Sequence, residues 1–465
     1  MRAQRASKPV AVCVDFGSTF TKALLVDLTE GAVIAAAEHP TTLETDVLDG
    51  YDACLAELVA ADPRAAGAEV LACSSAAGGL RIAVVGNEEL VTAEAGRRVA
   101  LSSGGHVVHV ASGGLSDDQL AALGRDRPDV VLLVGGTDGG NAEVLLSCAT
   151  TLARARWPGP VVVAGNVDAQ GEVAALLDGA ETPYVLVENV VPRIGVLAPD
   201  SARSAIREMF LRHVIAGKHL SRRTDFTAMV RGATPDVVLT AVELLARSAG
   251  DVVVVDVGGA TTDVHSVLEP DPEDAGLSRE VVATPPVSRT VEGDLGMRWS
   301  AVSTVAEGVA AGLLSDSAEL VGAARLRRDR PDLLPATPAE DHDDELVATA
   351  AVGVALRRHA GRRQVAYDAG SRVVRRSGKD LREVDLLVGS GGVLRSCPTE
   401  VAARVLGSVT GADVPGGWQL PRDPRVVVDR DYVLAAAGLL AGLHPHAAAA
   451  LLERLLGARP RHAST

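Results

Sequence analysis

Aromatic side chains are scarce in this chain: Phe, Trp and Tyr together make up 2% of its 465 residues. So few rings leave little on which nucleic-acid bases could stack, and the interior has to be built from Ala, Val and Leu. An excess of positive charge is also missing. The formal net charge is -15, which repels a phosphate backbone, so no nucleic-acid partner is expected. The five cysteines, Cys13, Cys54, Cys73, Cys148 and Cys397, include no Cys-x-x-Cys pair. They read as small buried hydrophobes in a reducing compartment, not as ligands of zinc or an iron–sulfur cluster. No apolar run is as long as a membrane span, since even Val252–Val257 is soon broken by glycine. The N-terminal MRAQRASKPV runs into an apolar segment without a secretory hydrophobic region and cleavage site. The expectation is a cytoplasmic protein that touches no membrane. The 47% hydrophobic content is enough for several cores.

Against that background one stretch stands out, DVVVVDVGGATTDV from Asp251 to Val264. The valine run predicts a strand buried on both faces, and it ends on Asp256 followed by Gly258 and Gly259. Glycines there let backbone N–H groups approach an anion with no Cβ in the way. Thr261 and Thr262 add hydroxyls, and Asp263 brings a second carboxylate. Near the N-terminus VAVCVDFGSTFTKALLVDL repeats the pattern with Asp15, Gly17, Ser18, Thr19 and Lys22. Lys22 reads as a phosphate contact or as a solvated lysine at a strand start, with contact favoured. A third element, LLVGSGGVLR, runs from a buried strand into Gly389, Ser390, Gly391 and Gly392, where a flat base or ribose can lie on bare backbone. Two acid–glycine–hydroxyl hairpins predict two related half-domains around one polyphosphate.

The order of VDFGSTFTK, VVVDVGGATTDV, LLVGSGGVLR and DYVLAAAGLLAG resembles the phosphate-1, phosphate-2, adenosine and connect-2 motifs of the actin, Hsp70 and sugar-kinase ATPase superfamily. More closely, ACSSAAGGLRIAVVG, VLLVGGTDGGNAEVL, VVVAGNVDAQGEV and RTVEGDLGMRWSA are similar to the MutL accessory family encoded with adenosylcobalamin-dependent glutamate (methylaspartate) mutase, distinct from the mismatch-repair proteins that share the name. The likeness runs from Val10 to about Gly442. It implies an α/β, duplicated actin-like (ribonuclease H-like) ATPase fold with an α/β insertion in the first half. It also implies ATP as ligand, Mg²⁺ held mostly through water by Asp15 and Asp256, and a cobalamin-dependent mutase subunit as partner.

Along the chain, residues 8–235 are expected to form the first lobe. Its insertion, at about 69–195, is marked by repeated strand–turn–helix units, which predict a parallel sheet. Residues 236–455 form the second lobe, and 456–465 a disordered tail. Within the insertion GGTDGGN, Gly135–Asn141, reads either as a ligand loop through Asp138 and Asn141 or as an ordinary βα turn. His106 and His109 have odd spacing on one strand and are expected on opposite faces. EDHDD near Asp344 reads as a solvated helix N-terminus.

The general base stays open. Hsp70-type chains carry a glutamate just before the proline of connect-1, whereas Thr234 stands there in this sequence, with Asp236 beyond Pro235. Asp263, Asp236 and Glu292 are the candidates, Asp263 foremost, with Asp15 and Asp256 as its catalytic companions. The expected activity is Mg-dependent ATP hydrolysis by an accessory or reactivating factor of an adenosylcobalamin-dependent mutase. The alternatives are a small-molecule kinase of the same fold and a nucleotide-gated binding protein with little turnover. Nothing in the sequence predicts the oligomeric state.

Overall fold

The computed structural model describes residues 9–76, 80–87, 92–215, 220–223, 225–269, 286–368, 371–411 and 414–457. The expected tail, 456–465, lies outside them from residue 458 on. The chain divides into two compact units. One comprises Met1–Ala76, Arg223–Pro270 and Thr290–Thr465; the other, Ala77–Arg222 and Asp271–Arg289.

The first unit holds two five-stranded sheets built to one plan. In the first, β1 (Val10–Phe16), β2 (Phe20–Asp27) and β3 (Ala32–Pro40) form an antiparallel meander. On the other side of β1 lie β4 (Glu69–Ser74) and, beside it, β10 (Val230–Ala233), both parallel to it. In the second sheet β11 (Val252–Val257) pairs antiparallel with β12 (Thr262–Val267), and β13 (Val287–Glu292) lies beyond. β16 (Leu386–Ser390) and β17 (Arg425–Val428) run parallel on the opposite side of β11. The orders β10-β4-β1-β2-β3 and β17-β16-β11-β12-β13 are the same sequence of positions, the ribonuclease H-like half that actin-type ATPases contain twice. The duplication expected from the two hairpins is therefore present.

Each parallel pair is followed by a helix, Thr234–Ala249 after β10 and Val433–Leu440 after β17. Pro235 starts the first of these, where its missing N–H costs nothing, and Gly250 at φ 82° ends it. The helices share one core with Ala11 and Cys13 of β1, Leu71 and Cys73 of β4, Val252 and Val254 of β11, and Leu386 and Val388 of β16. They approach backbone to backbone, since a Cβ on Gly438 would lie 2.0 Å from the Val237 carbonyl oxygen. The opposite face of β11, with Val253, Val255 and Val257, packs on a second core that includes the helix Pro338–His359. Burying a valine on either face contributes roughly 1.5–3 kcal/mol, which is why an unbroken valine run suits a central strand. The helix Pro338–His359 starts at a Thr337–Glu340 capping box, so EDHDD does open a helix, but it is not solvated throughout: Asp344 is buried and accepts from the buried Arg327 Nε at 2.5 Å. A separate hairpin, β14 (Arg362–Asp368) with β15 (Ser371–Ser377), stands outside both sheets.

The second unit has a parallel five-stranded sheet in the order β6-β5-β7-β8-β9. Its strands are β5 (Leu80–Val85), β6 (Gly105–Ala111), β7 (Val130–Leu133), β8 (Val161–Val163) and β9 (Tyr184–Leu186). It starts beyond β4, which belongs to the first sheet. One expectation is corrected here. Arg81 pairs with His106 and Ala83 with His109, because a register shift at this point inserts an extra residue into β6. The bulge puts both histidines on one face despite their odd spacing, and His109 Nδ1 lies 2.8 Å from Asp126 Oδ2.

Candidate functional site

Both hairpins turn in the same way. Gly17 N–H donates to the Phe20 carbonyl at 3.1 Å, and Gly258 N–H to the Thr261 carbonyl at 2.9 Å. A Cβ would sit 2.6 Å from the first oxygen and 2.9 Å from the second, so only glycine fits either turn. Asp15 and Asp256 lie two residues before these glycines. Alternation puts Asp15 on the face of β1 carrying Ala11 and Cys13, and Asp256 on the face of β11 carrying Val252 and Val254. Those residues share one core, so the two carboxylates stand at the end of the same inter-sheet layer.

Asp15 is 4% exposed. Its Oδ1 accepts from Thr234 Oγ1 at 2.6 Å and from the Cys73 thiol at 3.5 Å, and its Oδ2 accepts from the Tyr432 hydroxyl at 2.8 Å. Directly across the strand pair is Lys22, whose Nζ lies 3.8 Å from the Tyr432 ring centroid. The register partner of Asp256 is Asp263. Burial pushes the Asp256 carboxyl up to about 6; the charges of Asp263 and Asp15 push the same way, opposed by Lys22 and by a hydrogen bond from Ser390. Thr261 Oγ1 lies 3.5 Å from Asp263 Oδ2.

The two turns meet. A Cβ on Gly259 would lie 2.8 Å from Thr19 Oγ1, so the hydroxyl of one loop faces the bare backbone of the other. The RTVEGDLGMRWSA segment braces the second loop, with Met297 N–H donating to the Gly258 carbonyl at 3.0 Å and Arg298 N–H to that of Gly259 at 2.7 Å. In the third glycine run Gly391 has φ 97°, and a Cβ there would strike the Val257 carbonyl oxygen at 2.2 Å. Gly392 opens a short helix, Gly392–Ser396, into free space. Gly389 is needed for packing, since a Cβ would meet Leu406 Cδ1 at 2.7 Å.

Thr262 lies in antiphase to Asp263 and pairs with Val257. Its hydroxyl is buried without a partner among the described residues, on the face that Val264 shares with the second core. Only its backbone borders the loop. Asp236 is 2% exposed in the first turn of its helix. Glu292 accepts from Arg358 at 2.8 Å, as do Asp294 at 2.7 and 3.0 Å and Glu307 at 2.8 Å. Of the three base candidates, Asp263 alone stands opposite one of the paired aspartates.

Residues 11–456 match the family described as MutL protein. A relative from Clostridium tetanomorphum, "Protein MutL", is 35% identical over 458 residues, covering 95% of this chain and 98% of its own. This chain belongs to the MutL protein family. Its structural likenesses are fainter. An activator of 2-hydroxyisocaproyl-CoA dehydratase from Clostridium difficile with bound ADPNP aligns over 98% of this chain and 100% of its own, at 10% identity and a TM-score of 0.29. The ethanolamine utilization protein EutJ from Carboxydothermus hydrogenoformans covers 96% of this chain and 91% of its own, at 12% identity and a TM-score of 0.29. Superposition at that level adds nothing to what the sheet orders show.

In this MutL family chain the GGTDGGN loop of the second unit is largely occupied with its own neighbours. Asp138 Oδ1 accepts from Asn189 Nδ2 at 2.8 Å and from Val167 N–H at 3.2 Å, and Asn141 Oδ1 accepts from Glu143 N–H at 2.7 Å. Those bonds tie together the turns after β7, β8 and β9, which favours the βα-turn reading. No helix among the described residues is long and apolar enough to cross a membrane. Nor do those residues contain a cluster of three or more His, Cys, Asp or Glu placed to hold a metal. Two carboxylates at the inter-sheet edge are a donor set for a cation that takes its other ligands from water and phosphate, as Mg²⁺ does.

Proposed function

We propose that this MutL family chain is a Mg²⁺-dependent ATPase that serves an adenosylcobalamin-dependent mutase such as glutamate mutase. The observation that carries the reading is the meeting of two equivalent Asp-x-Gly turns, Thr19 against Gly259. A polyphosphate between them would find backbone N–H groups of Ser18 and Thr19 on one side and of Gly259 and Thr261 on the other, with the Lys22 ammonium beside Asp15. Gly17 and Gly258, whose N–H groups close the turns, would leave room for its close approach. Thr262 would contribute through its backbone. Ser390, Gly391 and Gly392 would border the nucleoside, with Gly389 holding that turn from the core side. A magnesium ion held through water by Asp15 and Asp256 would neutralise charge between the β- and γ-phosphates. Asp263 would orient the attacking water and take its proton at the carboxylate.

The use of that cycle on a mutase follows from family membership and rests on association. It is tested by phosphate release from ATP with magnesium, wild type against Asp256→Ala, alone and with a candidate mutase carrying inactive cobalamin. Hydrolysis that Asp256→Ala abolishes and the mutase stimulates supports the reading; phosphate transferred to a metabolite would instead make it a kinase. A nucleotide-gated binder with little turnover is favoured by one observation. Thr234 stands at the connect-1 position, and a hydroxyl bonded to Asp15 is no general base. Tight ATP binding without hydrolysis in any condition would decide for that reading.

A further inference from the structure

We propose that Thr234 and Tyr432 are positioning residues that hold the Asp15 carboxylate for cation-dependent nucleotide binding. The proposal rests on the nucleotide reading above and goes beyond it by assigning work to two hydroxyls outside all three glycine-rich turns. Each comes from an equivalent place in the two halves. β10 leads into Thr234 at the start of one helix, and β17 leads towards Tyr432 at the start of the other. Both nevertheless converge on Asp15, one on each carboxylate oxygen.

The convergence is built at a cost. Tyr432 sits at φ 56° and ψ 39°, a left-handed conformation unfavourable for a bulky residue. Three contacts hold it there. Its hydroxyl is on Asp15, its ring lies under Lys22, and Asp429 ties down the next two residues, accepting from Val433 N–H at 2.8 Å and Leu434 N–H at 3.1 Å. Such strain points to a geometry that the surroundings over-determine. Each Asp15 oxygen has about two lone-pair directions. Oδ1 faces the Thr234 hydroxyl and the Cys73 thiol, and one direction of Oδ2 faces the Tyr432 hydroxyl, so the rotation of the carboxylate is fixed and the remaining direction of Oδ2 is left for a hydrated cation. Neither hydroxyl bonds to a turn amide, so the effect is confined to what Asp15 does.

The test is calorimetric titration of ADP into the full chain, with magnesium and with EDTA, for wild type, Tyr432→Phe, Thr234→Val and Thr234→Ser. Tyr432→Phe keeps the ring beneath Lys22 and removes only the hydroxyl. Affinity for ADP in EDTA is expected to stay within about twofold in every variant, while the tightening by magnesium falls about tenfold in Tyr432→Phe and Thr234→Val, the scale of a charge-assisted hydrogen bond. Thr234→Ser restores it. Wild-type tightening in both hydroxyl-deleted variants overturns the proposal. So does an equal loss with and without magnesium, which would make the hydroxyls structural only. A wild type that binds ADP without regard to magnesium also overturns it while leaving nucleotide binding intact. A wild type that binds no ADP overturns the nucleotide reading and this inference together.

Discussion

The first and second hairpins share strand order, turn and glycine, yet differ in what faces the aspartate across the ladder. Asp15 faces a lysine, and Asp256 faces another aspartate. The first turn is clamped by two hydroxyls and a buried thiol around its carboxylate. In the second, like charge adds to burial and pushes the carboxyl up to about 6. Duplication supplies geometry twice and leaves charge free to diverge: the first carboxylate has a cation across the ladder, the second another carboxylate.

The largest effect expected on this contrast is that of Asp256→Asn. It should lower magnesium-dependent hydrolysis on the order of a hundredfold or more, read as phosphate release, while making the fold more stable. Asp256 rises from an ordinary 3.8 to about 6, so between those values the folded state holds a proton the unfolded chain has lost. Wild-type stability relative to the variant should fall through that window by about 3 kcal/mol and stay level above it. Denaturant unfolding at pH 4 and pH 7.5 measures the difference, and an equal gap at both pH values would remove the assignment.

Next in size are Gly17→Ala and Gly258→Ala. Each puts a Cβ under 3 Å from a carbonyl oxygen of its own turn, and each should cost about 1–3 kcal/mol in denaturant unfolding. Similar costs would show that the two turns are mechanically equivalent; a several-fold disparity would break the equivalence. The smallest effect belongs to the ion pair of Arg395, just past the third glycine run, with Glu38 on β3. Glu38 is half exposed, so Glu38→Gln should change stability by about 0–1 kcal/mol. Because the pair joins the two halves, the variant should release a fluorescent nucleotide faster, which stopped-flow displacement measures.

What the sequence made legible was local. A valine run, an aspartate and a glycine within a few residues specify a strand, its end and its turn, and β1, β11 and β16 form where those signals lie. The second unit's parallel sheet follows from its repeated βα units in the same way. Thr262 could also have been placed by counting, since it is one residue out of phase with Asp263. Less visible was Gly389, whose neighbours Leu394 and Leu406 belong to following helices. The bulge in β6 left no mark in the His106–His109 spacing. Least visible were the partners of Asp15. Thr234 is 219 residues away and Tyr432 417, and only the packing of two helices on one core brings them to a single carboxylate.

The placement of β10 has a consequence for how the chain comes into being. Strands β4 and β10 lie side by side, yet residues 75–229 separate them. On a ribosome adding about 5–20 residues per second, the outer edge of β4 waits on the order of ten seconds for its neighbour, with backbone groups open to wrong pairing. Thr234 emerges just behind β10, so Asp15 is without that hydroxyl throughout the wait. The clamp gains its first helix hydroxyl only once the sheet is closed and its second only when Tyr432 has followed, and a nascent chain stalled before Val230 presents both an unpaired strand and an incomplete clamp.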